Sequence, residues 1–156
     1  MRIREAISED MRHILERSVE TVWRDIPESE RRGCDYTKWR KTSLQVIEPV
    51  LKDRANKIYV VEDENGDFAG YTVVGETKNI FSPAGYGFIY DIFVEEQFRR
   101  SGVASMLLKA AEDFCIMRGL EAIKLEVAVN NPIAMKMYEK AGFTPERHFL
   151  GKRIER

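Results

Sequence analysis

The sequence predicts an α/β fold of the α+β kind: a mixed, mostly antiparallel twisted sheet with a central parallel βαβ unit, flanked by about four helices. Two stretches of helical periodicity come first, and two β-rich runs around an Asn-Gly pair follow. The central third of the chain then shows a strand, a helix and a strand in that order. A chain of 156 residues, 44% of them hydrophobic, suits one compact core, so residues 1–156 are predicted to form a single domain.

The N-terminal part is predicted to be mainly helical. Residues 2–7 give a weak strand signal, and Ser8 is a typical residue to cap the helix that follows and ends at Pro27. A polar connector leads to a second amphipathic helix, in which Pro49 predicts a kink or an early end. The apolar stripes of the two helices are Met11, Ile14, Leu15, Val19, Val22 and Trp23, and Trp39, Leu44, Ile47, Val50 and Leu51.

A hairpin and a loop are predicted next. The β-rich runs 58–61 and 68–74 flank Asn65-Gly66, a pair that permits the positive φ angles of a hairpin turn. Residues 79–87 contain Pro83 and two glycines and are predicted to form a loop.

The centre of the chain predicts parallel strands. Residues 88–94 form an apolar run of buried-strand length, interrupted by Asp91. An apolar stripe of helical period then runs from Gly102 to Gly119, and residues 123–129 alternate as a strand. Such an order requires a crossover, which is right-handed in nearly all proteins.

A short helix and a last strand complete the prediction. Asn131 is a suitable N-cap, Pro132 fits the first helical position and Gly142 lies just beyond the helix end. Residues 143–154 are predicted to supply the last strand or hairpin.

Composition excludes several classes of function. The 25 Lys and Arg balance 26 Asp and Glu, so neither nucleic acid nor a membrane is an expected partner. Cys34 and Cys115 belong to no metal-ligating cluster, and no metal is expected. The charged N-terminus does not resemble a signal peptide, and a cytoplasmic location is expected.

A phosphate-binding loop is predicted between the apolar strand and its helix. Its residues are Arg99, Arg100, Ser101, Gly102, Val103 and Ala104. Successive amide groups and the helix dipole attract a phosphate there, and the arginines add positive charge. The alternative is a tight turn with solvated arginines. The segment is neither a Walker loop nor a dinucleotide fingerprint.

The chain resembles the GNAT superfamily of acetyl-CoA-dependent N-acetyltransferases. Arg99, Gly102 and Ala104 match the family's cofactor loop, which reads Gln/Arg-x-x-Gly-x-Gly/Ala. The second signature, an Asn, an Ala and a Tyr on a short helix before Gly-Phe, is matched by residues 131–143. The resemblance is clear over about residues 90–143.

The resemblance implies how acetyl-CoA, as cosubstrate, is held. The fourth and fifth strands are expected to splay apart and admit the pantetheine arm, which receives backbone hydrogen bonds from Ile92, Phe93 and Val94. Asn131, Ala134 and Tyr138 of the second signature are expected to contact the cofactor. Asn131 is equally the expected helix cap, and the two roles are compatible.

Tyr138 is the predicted general acid. Attack by an amine expels a thiolate, and a phenol with a pKa of about 10 can protonate it. The alternative is a tyrosine of the core, because Tyr138 lies on the apolar stripe of its short helix.

The sequence offers two candidates for the group that deprotonates the amine. Asp91 is the nearest candidate for a base or a substrate contact, although a buried Asp can simply accept hydrogen bonds. Family members frequently use a Glu near this position, but residues 88–90 here are Phe, Ile and Tyr. Glu126 is a second candidate, and its parity with Lys124 indicates a surface position.

The acceptor prediction rests on the same two signatures. Both signatures look most like those of members that acetylate protein N-terminal α-amines, of the ribosomal-protein-alanine type. Polyamines, aminoglycoside-like amines and lysine side chains stay open. The acceptor segments are expected to include Trp23, Asp25, Tyr36, Trp39 and Phe149. The rival hypothesis is a non-catalytic acyl-CoA sensor, and the predicted assembly is a monomer or a homodimer.

Overall fold

The computed structural model describes residues 1–155. The strands are β1 (Arg2–Glu5), β2 (Lys57–Glu62), β3 (Phe68–Asn79), β4 (Ser82–Val94) and β5 (Ile123–Leu125). The helices are α1 (Met11–Asp25), α2 (Glu28–Arg31), α3 (Tyr36–Lys52), α4 (Val103–Met117) and α5 (Pro132–Lys140). Two 3₁₀ turns, Ser8–Asp10 and Glu96–Phe98, precede α1 and follow β4.

The sheet has the predicted mixed topology. Its five strands lie in the order β1-β2-β3-β4-β5, and only β4 and β5 are parallel. The fold class is therefore confirmed, including the parallel βαβ unit of β4, α4 and β5. None of the helices of residues 1–155 is long and apolar enough to cross a membrane.

Helices cover both faces of the sheet. Val73 packs with Ile14 of α1 and Leu51 of α3, whereas its neighbour Val74 packs with Phe114 of α4. Neighbouring residues of a strand point to opposite faces, so α1 and α3 lie on one side of the sheet and α4 on the other.

The loop prediction is wrong, and of the two alternatives given for Pro49 the early helix end does not occur. The loop over residues 79–87 is instead the end of β3, a tight turn and the start of β4. The side chain of Asn79 closes this turn by accepting the amides of Phe81 and Ser82 at 2.9 and 3.0 Å. Pro49 does not end α3, which continues to Lys52.

The C-terminal strand predictions are also wrong in part. β5 ends at Leu125 rather than at residue 129, and no strand forms within residues 143–155. Pro145 has no amide to donate to a sheet, and Gly151 weakens any strand that contains it. The predicted cap of α5 is confirmed, because Asn131 accepts the amide of Ala134 at 3.2 Å.

A β-bulge interrupts β4 in front of Asp91. Val74 of β3 pairs with Ile89 and Val73 pairs with Asp91, which leaves Tyr90 as an extra residue. A bulge shifts the alternation of side chains by one position. Asp91 consequently faces the side of the sheet that carries α1.

Candidate active site

The edge of β4 that faces β5 becomes free in its C-terminal half. Residues 87–89 pair with residues 123–125, and this pairing ends at the bulge. The amide of Glu95 donates to a β3 carbonyl at 2.9 Å. Peptide directions alternate along an antiparallel strand, so the peptide groups of Ile92 and Val94 point to the open side. This cleft offers backbone donors and acceptors where the strands separate.

The loop before α4 presents a run of unused amides. Arg100 and Gly102 both have positive φ, 62° and 89°, which curls the loop. The amides of residues 100–104 donate to no protein acceptor among the described residues. Ser101 donates its hydroxyl to the carbonyl of Phe98 and braces the turn. Free amides at a helix N-terminus form an anion-binding site, and a phosphate group is an anion that such a site can hold.

Asp91 lies in a polar niche between the sheet and α1. The phenol of Tyr71 donates to its Oδ2 at 2.6 Å. Burial raises the pKa of Asp91, whereas hydrogen bonds from Ser18, Tyr71 and the amide of Ile92 act against the rise. The carboxyl group is thus held in place by its neighbours.

Tyr138 lies in the core on the other face of the sheet, in the cluster that Ile89 forms with Phe114 of α4. Its ring is 7% exposed and makes an edge contact with Phe143, at a centroid distance of 5.8 Å. Burial first, and then the charges of Asp91 and Asp25, raise the pKa of Tyr138 to about 12. Tyr138 is thus buried in the core, as the alternative from the sequence had it, its role as general acid stays a prediction, and the phenol remains protonated at neutral pH.

Asp25 was expected among the acceptor residues, but neither Ser18 nor Tyr71 was predicted from the sequence as a neighbour of Asp91. Ser18 and Tyr71 bond to its carboxylate, and the charge of Asp25 reaches both Asp91 and Tyr138. Ser18 and Asp25 are seven residues apart on α1 and therefore share a helix face. This spacing was the available signal, because a serine and an aspartate break an otherwise apolar face.

A cavity of about 440 Å³ lies between α1 and the end of β4. Its lining residues are Arg17, Glu20, Thr21, Arg24, Phe93, Glu95, Glu96, Gln97 and Arg99. Glu95 is buried and accepts from Arg17 at 2.8 and 3.1 Å, and it lies 2.7 Å from His13 Nε2. This network ties the end of β4 to α1.

The described part of the chain offers no set of side chains that could bind a metal ion. Residues 1–155 contain no group of three or more His, Cys, Asp or Glu side chains that could hold a metal ion.

Comparison with known proteins identifies similar sequences and folds. The family model described as the acetyltransferase (GNAT) family matches residues 9–143. The uncharacterized N-acetyltransferase YhfO of Bacillus subtilis is 29% identical over 112 residues, 70% of this chain and 75% of that protein. The spermidine N(1)-acetyltransferase of Vibrio cholerae is 31% identical over 101 residues, 64% of this chain and 56% of that protein.

The fold also has solved counterparts. A protein from Pyrococcus furiosus that is described as an acetyl transferase superposes with a TM-score of 0.84 at 25% identity. The match covers 98% of this chain and 99% of that chain.

Proposed function

The chain belongs to the GNAT family of acetyltransferases, and we propose that it transfers the acetyl group of acetyl-CoA directly to a primary amine. The observation that carries this proposal is the free edge of β4, which begins at Asp91 and leads to the loop of unused amides before α4. A long ligand with a phosphate at one end and a reactive group at the other fits such a path. The whole segment 1–156 would act as one acetyltransferase domain.

The coenzyme-binding residues follow from the same path. The amides of Arg100, Ser101, Gly102, Val103 and Ala104 would bind the pyrophosphate, with Arg99 adding charge. The carbonyl of Ile92 and the peptide groups of Val94 would bind the pantetheine arm, and Phe93 would contribute its ring. Asn131 and Ala134 at the start of α5 would border the arm on the other side. When bound, the coenzyme supplies the activated acetyl group.

Tyr138 is proposed to supply the proton for the leaving group. The amine nitrogen attacks the thioester carbonyl carbon, the carbon–sulfur bond breaks, and the departing sulfur takes the proton of the phenol. A pKa of about 12 keeps the phenol protonated for this step. Because thiols have a pKa near 8.5, full transfer from the phenol is uphill. After the attack the nitrogen carries one proton more than the amide product, and the passage of this second proton to the phenolate offsets that cost and restores Tyr138.

Asp91 is proposed to hold the amine and to receive its proton, directly or through water. An ammonium has no lone pair, so a base is required before attack. The raised pKa of Asp91 makes its carboxylate a stronger base than an exposed aspartate. Asp25 would add a second negative charge near the same place.

A protein N-terminal α-amine is the first proposed acceptor. This proposal rests on two motifs, Arg-Arg-Ser-Gly-Val-Ala at 99–104 and the segment 130–138. Both motifs look most like those of N-terminal acetyltransferases. A small polyamine is the second candidate. The carboxylates of Asp25 and Asp91 favour a polycation, and a spermidine acetyltransferase is among the relatives.

The test is thiol release from acetyl-CoA with mass spectrometry of the products. The acceptors would be alanine- and methionine-initiated peptides, a lysine peptide with a blocked N-terminus, spermidine and an amino sugar. N-terminally blocked copies of the first two peptides are the matched controls. Acetylation of the free peptides alone supports the first candidate, and acetylation of spermidine alone supports the second. Coenzyme binding without any acetylated product would favour the acyl-CoA sensor.

A further inference from the structure

Thr21 carries a buried hydroxyl group without a partner. Among the described residues 1–155, its Oγ1 is the one buried side-chain oxygen or nitrogen that makes no hydrogen bond. Buried polar groups in proteins are nearly always paired, and an unpaired one destabilises the fold. Valine has the same shape without this defect, so the hydroxyl needs an explanation outside the folded chain.

The position of Thr21 at the cavity beside β4 provides an explanation for its unpaired hydroxyl. Arg17, Thr21 and Arg24 lie on one face of α1 and line the cavity of about 440 Å³ from one side. The opposite wall includes Phe93 and Arg99, which belong to the proposed coenzyme path. α1 therefore forms a wall of the space beside the free edge of β4.

The charges of the cavity favour an uncharged part of the ligand next to Thr21. Arg17 is bound to Glu95 and Glu20, and Arg24 lies 3.2 Å from Asp25. Glu96 and Arg99 add one charge of each sign, so the formal charges of the lining balance. A phosphate gains little there, whereas an amide or a hydroxyl can pair with a threonine hydroxyl. The pantetheine arm carries two amides and a hydroxyl.

We infer that Thr21 is a coenzyme-binding residue whose hydroxyl pairs with an amide or hydroxyl of the pantetheine arm, so that α1 closes the coenzyme cleft. This inference rests on the proposed function. Threonine in a helix populates two side-chain rotamers, so the hydroxyl can turn towards an entering ligand. Without the coenzyme the group stays unpaired, and with it the pairing is complete.

The test is the substitution Thr21→Val, read by calorimetric titration and by thermal unfolding. Affinity for CoA is expected to fall about three- to tenfold, which matches the loss of one hydrogen bond. The affinity for pantetheine, measured by competition with CoA, is expected to fall by the same factor. Adenosine 3′,5′-bisphosphate, which lacks the arm, should bind both proteins equally. The melting temperature without ligand should stay the same or rise.

A matched control is Thr42→Val. Thr42 is exposed on α3, where its hydroxyl donates to the carbonyl of Lys38 at 3.2 Å, and it does not line the cavity. This variant should bind CoA as the unmodified protein does.

Three results would overturn the inference. These are equal pantetheine affinity in Thr21→Val, a melting temperature lower by several degrees without ligand, and a change confined to the KM of the amine. A lower melting temperature would reveal a structural partner of the hydroxyl. A change confined to the KM of the amine would indicate that the cavity binds the acceptor instead of the coenzyme. Failure of the unmodified protein to bind CoA would instead refute the proposed function.

Discussion

Substitution of Gly87 by alanine tests how β4 and β5 are held together where they begin to separate. Gly87 is buried, pairs with Ile123 and donates its amide to the carbonyl of Ala122 at 2.9 Å. A Cβ atom at this position would lie 2.1 Å from Sγ of Cys115 on α4 and 3.6 Å from Cγ1 of Ile123. The glycine is therefore required by space rather than by backbone conformation.

The size of the effect follows from the overlap. Carbon and sulfur atoms in contact lie roughly 3.5–4 Å apart, so the Cys115 thiol must turn out of its rotamer or α4 and β4 must separate. Overpacking of a core typically costs about 1–3 kcal/mol. In a chain of this length, each kcal/mol lowers the melting temperature by about 2–4 °C. Gly87→Ala is expected to melt lower by roughly 2–12 °C.

A second substitution separates the clash from other effects. Cys115→Ala removes the sulfur and leaves a small cavity, and the combined Gly87→Ala, Cys115→Ala protein should recover most of the lost stability. Thermal or urea unfolding of the four proteins gives the coupling energy. Additive costs in the double variant would refute the explanation, because relief of a direct clash must be non-additive.

Three further substitutions, one of them with a matched control variant, address the proposed chemistry. Tyr138→Phe should lower kcat about 10²-fold with unchanged calorimetric affinity for CoA, and a near-normal kcat would remove Tyr138 from the mechanism. Gly102→Val should weaken CoA binding about tenfold or more, because a β-branched residue is strained at the φ of 89° that this position has. Gly119→Val is the control: it places the same strain at a φ of 67° beyond the end of α4, and it should lower stability but leave the affinity for CoA unchanged. Asp91→Asn should abolish most activity. The free energy of unfolding of this variant, relative to that of the unmodified protein, should increase as pH rises from acid to neutral. A raised pKa means that ionisation of Asp91 destabilises the folded state over that range, so a constant difference across pH would contradict the niche described here.

The sequence predicted the parts of the fold that local patterns determine. The cap at Asn131 and the crossover between β4 and β5 were both correct, because helix signals and the strand–helix–strand order are local. The turn after Asn79 was missed because residues 79–87 resemble a loop in composition. Its closure depends on one side chain that accepts two amides, and composition does not reveal such a bond.

The candidate site was predicted only where a family motif covers it. The loop 99–104 and Tyr138 carry motif residues; the loop directly precedes α4, and Tyr138 packs with Ile89 and Ile92 of β4. The partners of Asp91 come from α1 and β3, which are distant in sequence and carry no motif. Tyr71 belongs to a run of buried β3 residues, and nothing in that run marks its phenol as a hydrogen-bond donor to Asp91.

The bulge at Tyr90 explains how one short segment would contact both of the proposed substrates. Before the bulge, the amide of Gly87 points to β5; after it, the amide of Glu95 points to β3, so the alternation has shifted by one residue. Without the shift, Asp91 would point into the apolar cluster under α4, where an unpaired carboxylate is strongly disfavoured. With it, Asp91 reaches the hydroxyls presented by α1 and β3, and the peptide groups of Ile92 and Val94 turn to the open cleft. The pairing of β4 with β5 ends at the same point, because a strand out of phase cannot continue the ladder. A single extra residue thus accounts for the opening of the cleft, the orientation of its backbone groups and the placement of the carboxylate beside it.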